Sequence, residues 1–416
     1  MNLAKLLLLV AVASMLGWHA RAQIYDTNRE YVQTFVGSGE QGYVDGQGLL
    51  TKFSSPSQIV ADTSSNLYVW DSGNRVIRKI TPGGTVSTFA GGGSDYEGYG
   101  TNVSFSYYAF GPMVMDRSNT IWVNAGTFLL NIGTNSYVSI QNGGSGLTNF
   151  SASSGICFDS ANYLYYSGGN IIYRYNPSTG ISQPFAGNGT AGYVDGNGTV
   201  FPEFYFGSTP GLACDEANNI YVWDSGNGRI RRIDQSQNIT TIAGKGSCCF
   251  NADGVGTNAN FGGIAQMFGD NLGNVYFVSS ESIRRMNAQT NVVTMAGAFA
   301  NVGYTNGPGN VALFNYASGA CLSQGMIFVA DQNNEVIRDI TFNPTPQVVP
   351  PANLQLSTYP GLQIAGAVGR TYQVQTSPDL SAWTTRATLL LTASPYLWID
   401  QNPVSGSKFY RALLLP

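Results

Sequence analysis

Carboxylates and guanidinium groups recur at matched places along this chain, so their chemistry comes first. The phrase GYVDGQG at 42–48 carries Asp45 and returns at 192–198 as GYVDGNG, carrying Asp195. A third copy of the loop holds Asp253. A second phrase, VWDSGN at 69–74, carries Asp71 and returns at 222–227 with Asp224; Asp331 is its late counterpart. Arg78, Arg174, Arg231, Arg284 and Arg338 fall at one position relative to these phrases. A carboxylate in a Gly-rich loop can ligate calcium or cap a tight turn. Spaced oxygen ligands and a late Glu are missing, so an EF-hand does not fit. GYVDGQG also lacks the third glycine and the βαβ setting of a dinucleotide loop. The reading that remains is a turn: Asp accepts backbone N–H bonds and Gly supplies positive φ. The arginines suit ion pairs or bonds to loop carbonyls, with Asp71, Asp224 and Asp331 as partners for three of them. A guanidinium ring that reads an anionic ligand is the functional alternative. A third set, Asp62, Asp116, Asp159, Asp215 and Asp270, ends a different class of strand and reads as turn caps.

The rest of the composition excludes much chemistry. The one histidine, His19, sits in a segment with the features of a leader: Lys5, an apolar run at 6–16, and the small-x-small stretch Ala20-Arg21-Ala22. Residues 1–22 are therefore expected to be a signal peptide, cleaved near Ala22. The mature protein is expected to be secreted, or periplasmic or bound to the cell envelope, without a transmembrane segment. With no histidine left, a Ser-His-Asp triad, a Cys-His pair and His-ligated zinc or copper are all excluded. Loss of Lys5 and Arg21 leaves 18 basic and 24 acidic residues, a net charge of −6, which argues against nucleic acid. Cys157, Cys214 and Cys321 read as small buried residues on one type of strand. Cys248 and Cys249 are adjacent; free thiols, a vicinal disulfide and bridges elsewhere all remain open to them. Five cysteines make an odd number, so at least one is expected to be unpaired within the chain.

Short β-branched and aromatic runs lie between Gly/Asn/Asp clusters, with no sustained helical period. The first unit reads VQTFVG at 32–37, the GYVDGQG loop, SQIVAD at 57–62, LYVWD, RVIRKI at 75–80, and then VSTFAG, which opens the next unit. Opening strands recur with closing glycines 44 to 57 residues apart. Six units of four short antiparallel strands fit an all-β, six-bladed β-propeller over 24–343. The last unit ends at VIRDITF without an outermost strand, and VQTFVG has no preceding unit to complete. The two are expected to pair and close the ring.

These repeats resemble the NHL-repeat β-propellers, in the long form with DGxG loops. Copies one, four and five match well. Copy six has Asn306 in place of the Asp, and copies two and three are degenerate. The resemblance implies that the DGxG and WDSGN loops share one face, and Asp45, Asp71, Asp195, Asp224, Asp253 and Asp331 are its candidate binding residues. No catalytic residue and no metal ligand is assigned. The leading expectation is a non-catalytic binding or scaffold module for an extracellular or envelope protein, peptide or glycan, without a cofactor. The alternative is a calcium-dependent hydrolase, because gluconolactonase-type six-bladed propellers resemble this architecture. Such an enzyme needs acid at the channel end of the inner strands. Those starts read Ser57-Gln58, Gly111-Pro112, Ser154-Gly155, Pro210-Gly211, Gly262-Gly263 and Ser318-Gly319.

A Pro-rich stretch at 344–353 reads as a semi-rigid linker. Residues 354–416 resemble a C-terminal β-sandwich module of secreted bacterial proteins. The size of that module places Tyr372, Trp383, Trp398, Phe409 and Tyr410 in its core.

Overall fold

The computed structural model describes residues 30–107, 110–141, 147–200, 202–207, 211–246, 250–270, 272–342, 353–356, 361–392, 394–399 and 409–415. The expected leader, Cys248, Cys249, Pro210 and the linker up to residue 352 lie outside them. The chain divides into two compact units, Met1–Pro344 and Thr345–Pro416. Among the described residues there is no α-helix, only strands and short 3-10 turns.

The first sheet shows how the sequence builds the larger unit. Pro56–Ala61, Leu67–Asp71, Val76–Ile80 and Thr85–Gly91 form an antiparallel meander. Every residue of Leu67–Asp71 is buried, so both faces of this sheet are covered. The turn after Pro56–Ala61 is set by Asp62, whose carboxylate accepts the Ser64 and Asn66 N–H groups and the Asn66 amide. Gly91 ends the outer strand at φ +100°. There a Cβ would lie under 3 Å from Phe105 and from the backbone of Arg75 and Val76, so only glycine fits.

Five further sheets follow the same plan. Five apolar clusters hold them, each lying between two sheets that are consecutive along the chain. A sixth joins the last sheet to the first, through Val36, Ala330 and Ile337 against Ile59, Val69 and Ile80. Full burial of each such aliphatic side chain is worth about 1.5–3 kcal/mol. The last sheet is completed from the other end of the unit. Glu30–Val36 lies antiparallel to Val336–Phe342, with Val32 opposite Ile340 and Thr34 opposite Arg338.

Strand number departs from the expectation. Five of these sheets have five strands, because each DGxG-type loop adds a two-residue strand to an outer edge. Gly46–Gln47 pairs with Thr85 and Val86, and Gly98–Tyr99, Gly196–Asn197, Gly254–Val255 and Gly307–Pro308 pair likewise. The added piece satisfies edge N–H and C=O groups. Among the described residues, the sheet that ends at Ile181–Ala186 has four strands.

The innermost strands of all six sheets line one narrow apolar cavity of about 230 Å³. Cys157 and Cys214 meet there and form a disulfide, with Cα atoms 6.1 Å apart. This corrects the reading of both as unlinked apolar residues. Cys321 is buried and free, and burial pushes its thiol pKa up.

The smaller unit has two three-stranded sheets. Thr371–Ser377 lies between Thr384–Leu390 and Phe409–Leu414. Gly361–Ala365 lies between Asn353–Leu356 and Tyr396–Ile399. Leu362, Ile364, Tyr372, Val374, Leu391 and Ala412 form a core shared by both sheets, with Trp398 and Tyr410 packed against it. Phe409 is 40% exposed, and Trp383 lies 4.2 Å from the Arg411 guanidinium. These two aromatics are outside the core that the sequence assigned to them. Among the described residues, no helix is long and apolar enough to cross a membrane.

Candidate binding surfaces

Strand register puts Arg78, Arg174, Arg231, Arg284 and Arg338 at one place, opposite Val69, Tyr165, Val222, Phe277 and Val329. In the first sheet the guanidinium joins both repeated phrases. Arg78 Nη1 donates to Asp71 Oδ2 at 2.8 Å, and Nη2 donates to Asp45 Oδ1 at 2.6 Å. Its Nε also donates to Asp45 Oδ1 at 3.1 Å, and its other bonds go to the Lys52 and Val44 carbonyls. Asp71 is fully buried and also accepts the Ser54 N–H and the Asn74 amide. Burial pushes its carboxyl above the ordinary value, while Asn74, the Ser54 N–H and Arg78 draw it back. Asp45 is half exposed and accepts the Thr88 N–H of the outer strand.

The fourth sheet repeats this arrangement. Arg231 reaches Asp224 at 2.8 Å, Asp195 at 2.7 Å, and the Glu203 and Val194 carbonyls. In the last sheet Arg338 holds Asp331 at 2.8 Å, and Asn306 supplies the second acceptor at 2.7 Å. Burial raises the Asp224 and Asp331 carboxyls as it does Asp71. In the fifth sheet Arg284 keeps Asp253 at 3.1 Å, with Ser279 in register where the others have Asp. The structure thus brings the DGxG and WDSGN carboxylates together on shared cations. The side chains of Asp71, Asp224 and Asp331 are closed to any approaching partner, while those of Asp45, Asp195 and Asp253 remain 46, 44 and 43% exposed.

The degenerate copies lack this node. In the second sheet Leu130 occupies the arginine register, and Glu97 accepts the Ile140 N–H. In the third, Arg174 lies 4.9 Å from the Tyr163 ring and 5.6 Å from the Phe185 ring.

A tyrosine completes three of the nodes. The Tyr43 ring lies 5.1 Å from the Arg78 guanidinium, Tyr193 lies 5.2 Å from Arg231, and Tyr304 lies 5.0 Å from Arg338. Each is about half exposed. Exposed large apolar side chains are concentrated on the connections between sheets: Leu49, Leu50, Val200, Tyr205, Val302 and Tyr316 are further examples.

The opposite ends of the inner strands differ. Asp62, Asp116, Asp159, Asp215 and Asp270 cap their turns and ring a cavity of about 450 Å³, together with Arg117 and Glu216. The Asp62, Asp159, Asp215 and Asp270 carboxylates each accept a tyrosine hydroxyl, from Tyr68, Tyr165, Tyr221 and Tyr276. Burial pushes the Tyr68, Tyr165 and Tyr221 hydroxyls up. The sequence shows these five Asp as caps; it gives no sign that they border one cavity. Among the described residues, no group of three His, Cys, Asp or Glu side chains could hold a metal ion.

No protein-family profile matches the chain. A chloroplast protein of Arabidopsis thaliana, SUPPRESSOR OF QUENCHING 1, is 26% identical over 74% of the chain. The match spans about a quarter, 27%, of that protein's length. A Bacteroides thetaiotaomicron protein of unknown function superimposes with a TM-score of 0.59 at 18% identity, over 75% of this chain and 76% of that one. An auxiliary nutrient binding protein of Bacteroides ovatus gives 0.56 at 18% identity, over 76% and 77%. The fold is a β-propeller. In a propeller the inner strands surround the axis, as the shared cavity requires, and the connections between sheets carry the variable chemistry.

Proposed function

We propose that this chain is an exported, non-catalytic propeller of six NHL-type blades, and that the connections between its blades bind a protein, peptide or glycan outside the cytoplasm. One observation carries the reading: exposed large apolar side chains gather on those connections, while the hairpins within blades are mostly polar at their tips. Such clustering on a folded surface marks interaction sites. The Cys157–Cys214 bond suits an oxidising compartment. The two-sheet C-terminal module then helps to place the propeller. One structural neighbour is an auxiliary nutrient binding protein, and a binding role for this chain agrees with it.

The test uses the full mature chain, 23–416, with immobilised oligosaccharides and a displayed peptide library. Binding should weaken at least about tenfold in Tyr205→Ser/Tyr316→Ser and stay unchanged in Leu272→Ser, which lies on a hairpin at the other end of its blade. Calcium-dependent turnover of lactones or esters by the wild-type chain would replace this reading with a hydrolase.

A further inference from the structure

We infer that Tyr43, Tyr193 and Tyr304 are three pre-formed sugar-stacking pads, each completed by the acceptor two residues later: Asp45, Asp195 or Asn306. This inference rests on the binding reading above and names the class of ligand. It starts from how these rings are held. One side of each ring meets a buried guanidinium at 5.0–5.2 Å. The Tyr43 hydroxyl is bonded to Thr88 Oγ1 at 2.7 Å, and the Tyr304 hydroxyl to Thr34 Oγ1 at 2.6 Å. The residues nevertheless remain 53, 46 and 50% exposed, although the Arg229 guanidinium also lies 5.3 Å from the Tyr193 ring. A fixed, half-exposed aromatic plane suits the C–H face of a pyranose, because little side-chain freedom is lost on contact.

The neighbouring acceptor supplies direction. Asp45 and Asp195 keep nearly half their side-chain surface exposed beside the ring. Each shares its guanidinium with a buried carboxylate, Asp71 or Asp224, and its exposed side-chain surface offers lone pairs to a hydroxyl donor. Asn306 makes the same point at the third pad. Its amide oxygen accepts from Arg338 as Asp45 accepts from Arg78, without the charge. A ligand able to use all three pads must be satisfied by a ring face and, at Asn306, by an acceptor without charge. Neutral saccharides meet both conditions, and a cationic peptide gains from only two pads.

The experiment is saturation-transfer NMR on the full mature chain with neutral gluco-, xylo- and manno-oligosaccharides, at low and high salt. Transfer from the tyrosine rings should reach at least one sugar and be insensitive to salt. It should fall at least about tenfold in Tyr43→Ser/Tyr193→Ser/Tyr304→Ser. The matching triple Phe variant keeps the rings and should retain binding within about twofold, which separates loss of a pad from loss of the fold. Undiminished transfer in the Ser variant overturns the inference. So does tetramethylammonium binding that strengthens at low salt while no sugar binds. Peptide binding by the loops with no sugar signal removes the pads and leaves the binding reading intact; silence from both ligand classes removes both.

Discussion

The first and third blades hold their places by different means. The first has a buried guanidinium shared between Asp71 and Asp45, and a fifth strand on its outer edge. The third has Arg174 against two aromatic rings, no fifth strand among the described residues, and a disulfide through Cys157 to the next blade. The polar node needs several loops to converge on one cation. The covalent tie needs only two side chains on adjacent inner strands. A degenerate repeat can therefore remain in the ring once a different link holds it.

The sharpest way to break this comparison is to remove the buried carboxylate. Asp71→Ala or Asp224→Ala removes the buried partner, leaves the buried guanidinium with only a half-exposed carboxylate, and should cost about 3–5 kcal/mol in urea unfolding of the full chain. Asp45→Ala removes a half-exposed partner and should cost about 1 kcal/mol or less. Equal losses would mean that the two carboxylates are equivalent. The next effect tests the third blade. Cys157→Ala/Cys214→Ala should lower stability by about 2–4 kcal/mol, and reductant should do the same to the wild type and nothing further to the variant. Arg174→Leu then offers a smaller contrast. It loses cation–π contact at a partly open site, about 0.5–1 kcal/mol, whereas Arg231→Leu leaves Asp224 buried without its cation and should cost several times more.

The smallest effect lies in the C-terminal unit, where a carboxylate works without burial. The Ser381 and Ala382 N–H groups hold the exposed Asp379 carboxyl down to about 2. Its folded value is below that of an unfolded Asp, about 3.9. Its contribution is therefore present above about pH 4 and is lost as pH falls toward 2. An NMR titration of the Asp379 side chain should show a midpoint near 2, and Asp379→Asn should flatten this part of the acid profile.

Much of the propeller was legible because repetition carries register. The alignment of Arg78 with Arg231 and Arg338, and their pairing with Asp71, Asp224 and Asp331, followed from the spacing of two phrases. Closure by the N-terminal strand followed from counting strands. The fifth strands were not legible: two residues such as Gly46–Gln47 have no periodicity, and their pairing depends on where a loop folds back. The disulfide was missed for a related reason. Cys157 lies two residues before its capping Asp and Cys214 only one, a difference that similar strand contexts conceal. Two of the three tyrosines stand in GYVDG and the third in GYTNG, but their exposure depends on how each loop packs against its guanidinium.

Closure by Glu30–Val36 also fixes an order of events. The Gln33 amide bonds to Asp339 across 306 residues of sequence. The first strand of the propeller to leave the ribosome, or to emerge beyond the membrane, has no final partner until the last has followed. Loop closure over such a span is slow, so the early blades must wait with a gap in the circle. A chain cut short before Val336 can never fill that gap. It would present the unpaired edge of its first strand, the kind of surface that draws in other strands and leads to aggregation. The same contact that completes the ring is thereby a checkpoint, passed only by molecules made to the end.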